Sequence, residues 1–288
     1  MKGTKWFSLN DKVSREKTLQ LAWEQVRRNG GSAGIDAISV KRFKKIAEGE
    51  LTGLSRQLRE GNYRPKAVKR VWIGKPGSKE KRPLGIPTVR DWIVQSALRM
   101  VMEPIFEKDF AAHSYGFRPG RGCKDALRQV DRLLKAGYSW VVDADLKSYF
   151  DTIAHEKLMH LVEEKISDRK VLELIRSFLT QGVMESHKGW QPTERGTLQG
   201  AVMSPLLSNI YLDGLDHRMA RKGYQMIRYA DDFIILCRNR QEAQKSPRAG
   251  AAMDSQQRTT TAPAEDQYSR CDPQRWIRLF GLSLRTRL

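Results

Sequence analysis

Apolar residues mark one face of a helix from Glu16 to Arg28, where Leu19, Ala22, Trp23 and Val26 recur at helical spacing and Asn29-Gly30-Gly31 supplies a stop. Shorter helical patterns cover Val40 to Ala47 and Leu51 to Arg59, the second closed by Gly61. From Ala67 to Ile73 the pattern becomes that of a strand, followed by the turn Gly74-Lys75-Pro76-Gly77-Ser78. Lys79-Glu80-Lys81-Arg82-Pro83-Leu84-Gly85-Ile86-Pro87 reads as the return limb of a basic hairpin, whose prolines place it at a sheet edge. Such a hairpin is either an ordinary basic surface or a flap that meets phosphates. Asp91 to Glu103 is a helix with Ile93, Val94, Ala97, Leu98 and Val101 inward and Pro104 as its stop.

The second half alternates in the same way. Ser114 to Cys123 is too glycine-rich for regular structure, and Asp125 to Leu134 is helical. A strand from Tyr138 delivers Asp143 and Asp145 at its end, two residues apart and so on one face. Asp151, before Thr152 and a helix, reads as an N-cap. Helices follow over His155 to Lys165 and Asp168 to Thr180, then a strand over Gly182 to Glu185. The glycine-punctuated turn from Arg195 opens a helix at Ser204-Pro205 that runs through Met219. Met226 to Leu236 is a hairpin of strand formers with Ala230-Asp231-Asp232 at its turn.

That acid pair is the strongest chemical signal. Neighbouring carboxylates at a strand end repel unless something positive lies between them and a partner, and a hard divalent cation such as Mg²⁺ is the economical choice. A bare Asp-Asp pair is more often a solvated turn, but the apolar flanks argue against one. Either Asp143 or Asp145 supplies a third acid on this reading. Composition narrows the partner. The chain has 288 residues, 40% of them hydrophobic, with 52 Lys and Arg against 33 Asp and Glu and a net charge of +19. The basic excess points to a polyanion, and no stretch is apolar enough to span a membrane. Cys123, Cys237 and Cys271 are far apart, which predicts a reduced, cytoplasmic protein without disulfides or a zinc site. Tyr115-Gly116-Phe117-Arg118-Pro119-Gly120-Arg121 combines aromatic and guanidinium faces suited to a nucleic-acid strand.

In this order the motifs resemble the reverse transcriptases encoded by bacterial group II introns. Lys81 to Pro87 with Arg90-Asp91 is similar to the fingers motifs, and Tyr115 to Arg121 to a further signature. Asp145-Leu146-Lys147-Ser148-Tyr149-Phe150-Asp151 looks like polymerase motif A. Gly196-Thr197-Leu198-Gln199-Gly200 with Ser204 to Ile210 looks like motif B, and Tyr229-Ala230-Asp231-Asp232 like motif C. The resemblance implies an α+β right-hand polymerase of fingers and palm that copies intron RNA from a DNA primer with dNTPs. It implies that Asp145, Asp231 and Asp232 hold two Mg²⁺ ions. Choosing Asp145 over Asp143 rests on its place five residues before Phe150, the family's gate against a ribose 2′-hydroxyl. Arg82, Lys75 and Lys81 would clamp the triphosphate, Gln199 would lie under the template–dNTP pair, and Arg118 and Arg121 would touch nucleic acid. Departures are Leu198 for the usual proline, Ala201 for glycine and Trp92 for a charged residue. The alternatives are an RNA-binding maturase-like protein, an inactive relic, or a retron or diversity-generating relative; oligomeric state is left open.

The implied domains are a basic helical extension over 1–62, fingers over 63–135, palm over 136–244, and a tail over 245–288. The family's later Pro-x-Lys-Thr and Phe-Leu-Gly palm motifs and its helical thumb do not follow, and Ser246 to Leu288 contains no lysine. Codons can be chosen for Ala262 to Tyr268 that, read one base later, give His-Pro-Gln-Lys-Thr-Ser. Trp276 to Leu282 read likewise gives Gly-Phe-Asp-Phe-Leu-Gly. A slipped reading frame near Lys245-Ser246 is therefore expected, with a largely disordered tail and no thumb.

Overall fold

The helical patterns near the N-terminus become α1 (Asn10–Val13), α2 (Glu16–Asn29), α3 (Val40–Phe43) and α4 (Ala47–Glu60). The basic hairpin is β1 (Val68–Gly74) and β2 (Lys81–Ile86), and α5 (Val89–Glu107) and α6 (Cys123–Lys135) follow. Next come β3 (Trp140–Asp145), α7 (Tyr149–Thr152), α8 (His155–Glu163), α9 (Arg169–Thr180), β4 (Val183–Glu185) and β5 (Gly189–Gln191). The chain continues through α10 (Ser204–Arg221), β6 (Gln225–Tyr229), β7 (Asp232–Cys237), α11 (Arg240–Lys245) and β8 (Asp266–Arg270). The structure, a computed structural model, describes residues 5–74, 79, 81–145, 149–246 and 266–270, without the side chains of 144, 145 and 266–270. Lys75 lies outside the described residues.

Two compact units divide the chain, one comprising Met1–Lys108 and Phe150–Leu207, the other Asp109–Tyr149 and Ser208–Leu288. The first is built on α5, whose Ile93, Val94, Ala97 and Leu98 are fully buried, with α2 packed along it. Thr88 caps α5, accepting from the Asp91 N–H at 3.2 Å. Pro104 does not stop this helix. Ile105 and Phe106 beyond it are buried, and packing holds a last turn that propensity alone would forfeit. The sheet of this unit runs β2-β1-β4-β5, with β4 parallel to β1 and Val68 opposite Val183. Residues 183–191, expected in the palm, therefore join the sheet of the expected fingers. The Trp92 ring covers Gly31, where an added Cβ would lie 2.5 Å from it, which gives this departure from the family pattern a packing role.

In the second unit the sheet order is β6-β7-β3-β8, antiparallel throughout. One face carries α6, and Ala126, Val130 and Leu133 form a buried cluster with Val141, Ile227, Ile234 and Leu236. Each of the valine, leucine and isoleucine side chains among them contributes about 1.5–3 kcal/mol through removal from water. This helix was expected in the fingers; its apolar face instead covers the sheet of the acid hairpin. Strand β8 comes from the segment expected to be disordered. An open edge on β3 can be paired by any extended main chain, because ladder hydrogen bonds do not depend on side chains. No described helix is long and apolar enough to cross a membrane.

Candidate active site

Strand register settles which aspartate lies level with the acid pair. Across β3 and β7, Asp145 stands opposite Asp232, whereas Asp143 stands opposite Ile234. Two residues of strand are about 6.6 Å, so Asp143 is a full pleat away from the end at which Asp231 and Asp232 emerge. The hairpin closes with Tyr229 opposite Asp232, leaving Ala230 and Asp231 as its loop. Asp231 and Asp232 at this end of the sheet carry carboxylates, hard oxygen ligands of the kind that suits Mg²⁺ and not a soft metal. Among the described residues no three metal-ligating side chains form a ready-made cluster, and the side chain of Asp145 lies outside that set.

The turn is held in an unusual conformation. Ala230 has φ +61° while Asp231 has no positive φ, the pattern of a type II′ hairpin turn, in which the first loop residue is normally glycine. A non-glycine residue held in such a sparsely populated region costs about 1–3 kcal/mol. Several contacts hold it there. The Gly116 backbone presses on it so closely that a Cβ at Gly116 would lie 2.2 Å from the Ala230 nitrogen. The Tyr115 N–H donates to the Arg228 carbonyl at 2.9 Å, and the Arg228 N–H donates to the His113 carbonyl at 3.0 Å. The Arg228 side chain is 1% exposed and its Nη1 donates to the Ala230 carbonyl at 2.7 Å and to Asn209 Oδ1 at 3.0 Å. Its Nε and Nη2 grip the fully buried Asp216 carboxylate at 2.8 and 2.5 Å. Asn209 Nδ2 donates in turn to the Gly116 carbonyl at 3.0 Å. Burial works against the Arg228 charge, but Asp216 outweighs it and holds its pKa above that of an ordinary arginine.

A second cluster gathers in the other unit around the turn from Arg195. The Gly85 N–H of β2 donates to the Gln199 carbonyl at 2.7 Å, and the Thr197 N–H donates to the Phe150 carbonyl at 2.7 Å. Both joints need glycine, since a Cβ would lie 2.5 Å from the Gly85 oxygen at Gly200 and 2.6 Å from the Phe150 oxygen at Gly196. The Leu198 carbonyl accepts from Ser204 Oγ at 2.8 Å. A pocket of about 290 Å³ opens beside it, lined by Arg70, Pro83, Asp151, Arg195 and Thr197 among others. Asp151 lies within α7, and the N-cap position of the helix that follows, α8, is Ala154, so Asp151 is not the expected cap; burial raises its carboxyl pKa, opposed by Arg70. Lys81 and Arg82 are exposed on β2, opposite Gly74 and Ile73. Phe150, Gln199, Lys81 and Arg82 thus belong to one unit and the three aspartates to the other.

Arg118 is turned inward. It is 6% exposed, and its Nη1 donates to the Ala111 and Ser114 carbonyls at 2.6 and 2.9 Å. Arg121 likewise donates to the Ala112 carbonyl at 2.6 Å. A loop with little regular structure must satisfy its carbonyls somehow, and these guanidinium groups do so. Phe117, at 48% exposure, is the aromatic of this loop left facing solvent. Sequence reasoning missed Arg228, Asp216 and Asn209. The available signal was a charge inside each of two apolar patterns, Met226-Ile227-Arg228 and Leu215-Asp216, which demands burial with a partner.

Comparison with known proteins agrees with the motif order. Residues 73–258, more than half of the chain, match the family described as reverse transcriptase (RNA-dependent DNA polymerase). Group II intron-encoded protein LtrA of Lactococcus lactis subsp. cremoris is 43% identical over 183 residues, 63% of this chain and 28% of that protein. Protein YkfC of Escherichia coli (strain K12) is 41% identical over 187 residues, 64% of this chain and 49% of its own length. A chain in the structure of a partial Cas6-RT-Cas1--Cas2 complex superposes with a TM-score of 0.51 at 25% identity, covering 83% of this chain and 40% of that one. The chain spans under half the length of each of these proteins.

Proposed function

Because the chain belongs to the reverse transcriptase (RNA-dependent DNA polymerase) family, we propose that it is the fingers-and-palm part of a group II intron-encoded enzyme that copies intron RNA into DNA. The observation that carries this reading is the register that sets Asp145 opposite Asp232, beside the loop residue Asp231. Asp145, Asp231 and Asp232 would hold a pair of Mg²⁺ ions. When bound, such ions supply Lewis-acid activation of a primer 3′-hydroxyl and neutralise charge on the triphosphate. Arg82 and Lys81, with Lys75 nearby in sequence, offer cationic donors to the triphosphate of an incoming dNTP. Phe150 stands as the steric gate against a ribose 2′-hydroxyl, and Gln199 as the support for the template–dNTP pair. The basic excess supports binding of the RNA template and DNA primer, and relatives carrying maturase names support a part in intron splicing.

Primer extension on an RNA template with Mg²⁺ tests the reading. Incorporation should fall at least about a thousandfold in an Asp231→Ala/Asp232→Ala variant. Incorporation that survives the double change would remove the aspartates from the reaction.

A further inference from the structure

We propose that Arg228 is a positioning residue that sets the acid-bearing turn, acting as a brace between Asp216 and the Ala230 carbonyl. The inference rests on the metal-site reading above and deepens it. Three features converge on one side chain. Arg228 is a fully buried cation, yet one buried carboxylate already neutralises it through Nε and Nη2. Its remaining nitrogen, Nη1, is not spent on charge balance; it holds the carbonyl of the residue with positive φ immediately before Asp231. The same nitrogen meets Asn209, whose amide grips Gly116, the residue whose backbone abuts Ala230.

The arrangement is a fork with two jobs. Asp216 fixes the plane of the guanidinium, and the fixed plane presents Nη1 to the Ala230 oxygen. Since Ala230 occupies a region that an L-residue leaves readily, rotation of its peptide would re-aim the Asp231 side chain. A lysine could neutralise Asp216 but could not reach both the carboxylate and the carbonyl in fixed geometry. Supports behind metal-holding carboxylates typically change metal affinity by about 10–100-fold.

The test is Mn²⁺ binding by electron paramagnetic resonance on the full chain, with amide hydrogen exchange over residues 229–233. Arg228→Lys should weaken Mn²⁺ about tenfold and raise exchange in the turn without raising it in β3. Adding Ala230→Gly should recover most of that loss, because glycine adopts positive φ without a brace. Asn209→Ala leaves the ion pair in place and covers the case in which Arg228→Lys does not fold; it should weaken Mn²⁺ about tenfold. Binding unchanged in a folded Arg228→Lys or Asn209→Ala protein, or a loss that Ala230→Gly does not recover, overturns the brace. Wild-type protein that binds no Mn²⁺, or binds it equally after Asp231→Ala/Asp232→Ala, overturns the metal site instead.

Discussion

Gly116 shows how one missing side chain shapes the candidate site. Its signature loop carries two arginines that suggest a nucleic-acid contact, yet those arginines hold the loop's own carbonyls and Gly116 lies against the Ala230 nitrogen. A methyl group there has nowhere to go, because the atoms it meets are backbone. Gly116→Ala is therefore expected to cost about 1–3 kcal/mol of stability by urea unfolding and to weaken Mn²⁺ binding by the chain. Unchanged unfolding would mean that the loop can withdraw from the turn. Asp216 is fully buried, and neutralising it leaves the Arg228 charge uncompensated; Asp216→Asn should cost about 3–5 kcal/mol in the same measurement.

Among the elements, α5 carries a pH dependence of its own. Asp91 is 1% exposed in the first turn and accepts hydrogen bonds from Tyr63 and Thr88, both at 2.6 Å. Burial nevertheless raises its pKa above the ordinary 3.8, with those hydrogen bonds opposing the rise. A raised carboxyl means that the folded chain binds the proton more tightly than the unfolded one. Stability from this group is then greatest below the unfolded value and declines as pH climbs to the folded value. Urea unfolding from about pH 4 upward should show that decline, and Asp91→Asn should flatten it. A steeper decline in the variant would point to another group. The hairpin β6–β7 was legible because strand formers flank two acids, and α2 because its apolar face is regular. The pairing of β1 with β4 was not legible, since parallel strands far apart in sequence leave no local trace.

Over the whole molecule, a net charge of +19 predicts that the proposed RNA binding is dominated by phosphate contacts. Affinity should drop about a thousandfold between about 50 and 200 mM salt, measured by filter binding. A flat response would assign binding to apolar or base contacts. The tail raises a separate question, because β8 pairs with β3 although its sequence lacks the family's palm motifs. If the frame has slipped, the gene read one base later from near Lys245-Ser246 will encode Pro-Gln-Lys-Thr and Phe-Asp-Phe-Leu-Gly in that order. A gene without them ends that explanation. The two compact units each take two stretches of chain, with α6 burying its face on the acid-bearing sheet and β4 pairing with β1.

By itself, the sequence determined the motif order, the family and the acids to watch, since chemistry at short spacing is written in neighbouring residues. It left Asp143 and Asp145 level as third acids until family likeness preferred one; the cross-strand register then put Asp145 level with Asp232. It read Arg118 as a ligand contact and passed over Arg228, because whether a cation faces solvent or a buried carboxylate depends on residues far away along the chain. Only the tertiary structure could bring Asp216, Asn209 and Gly116 to the turn. The reason is that burial, which decides where a charge must find its partner, is a property of the packed chain and not of any segment.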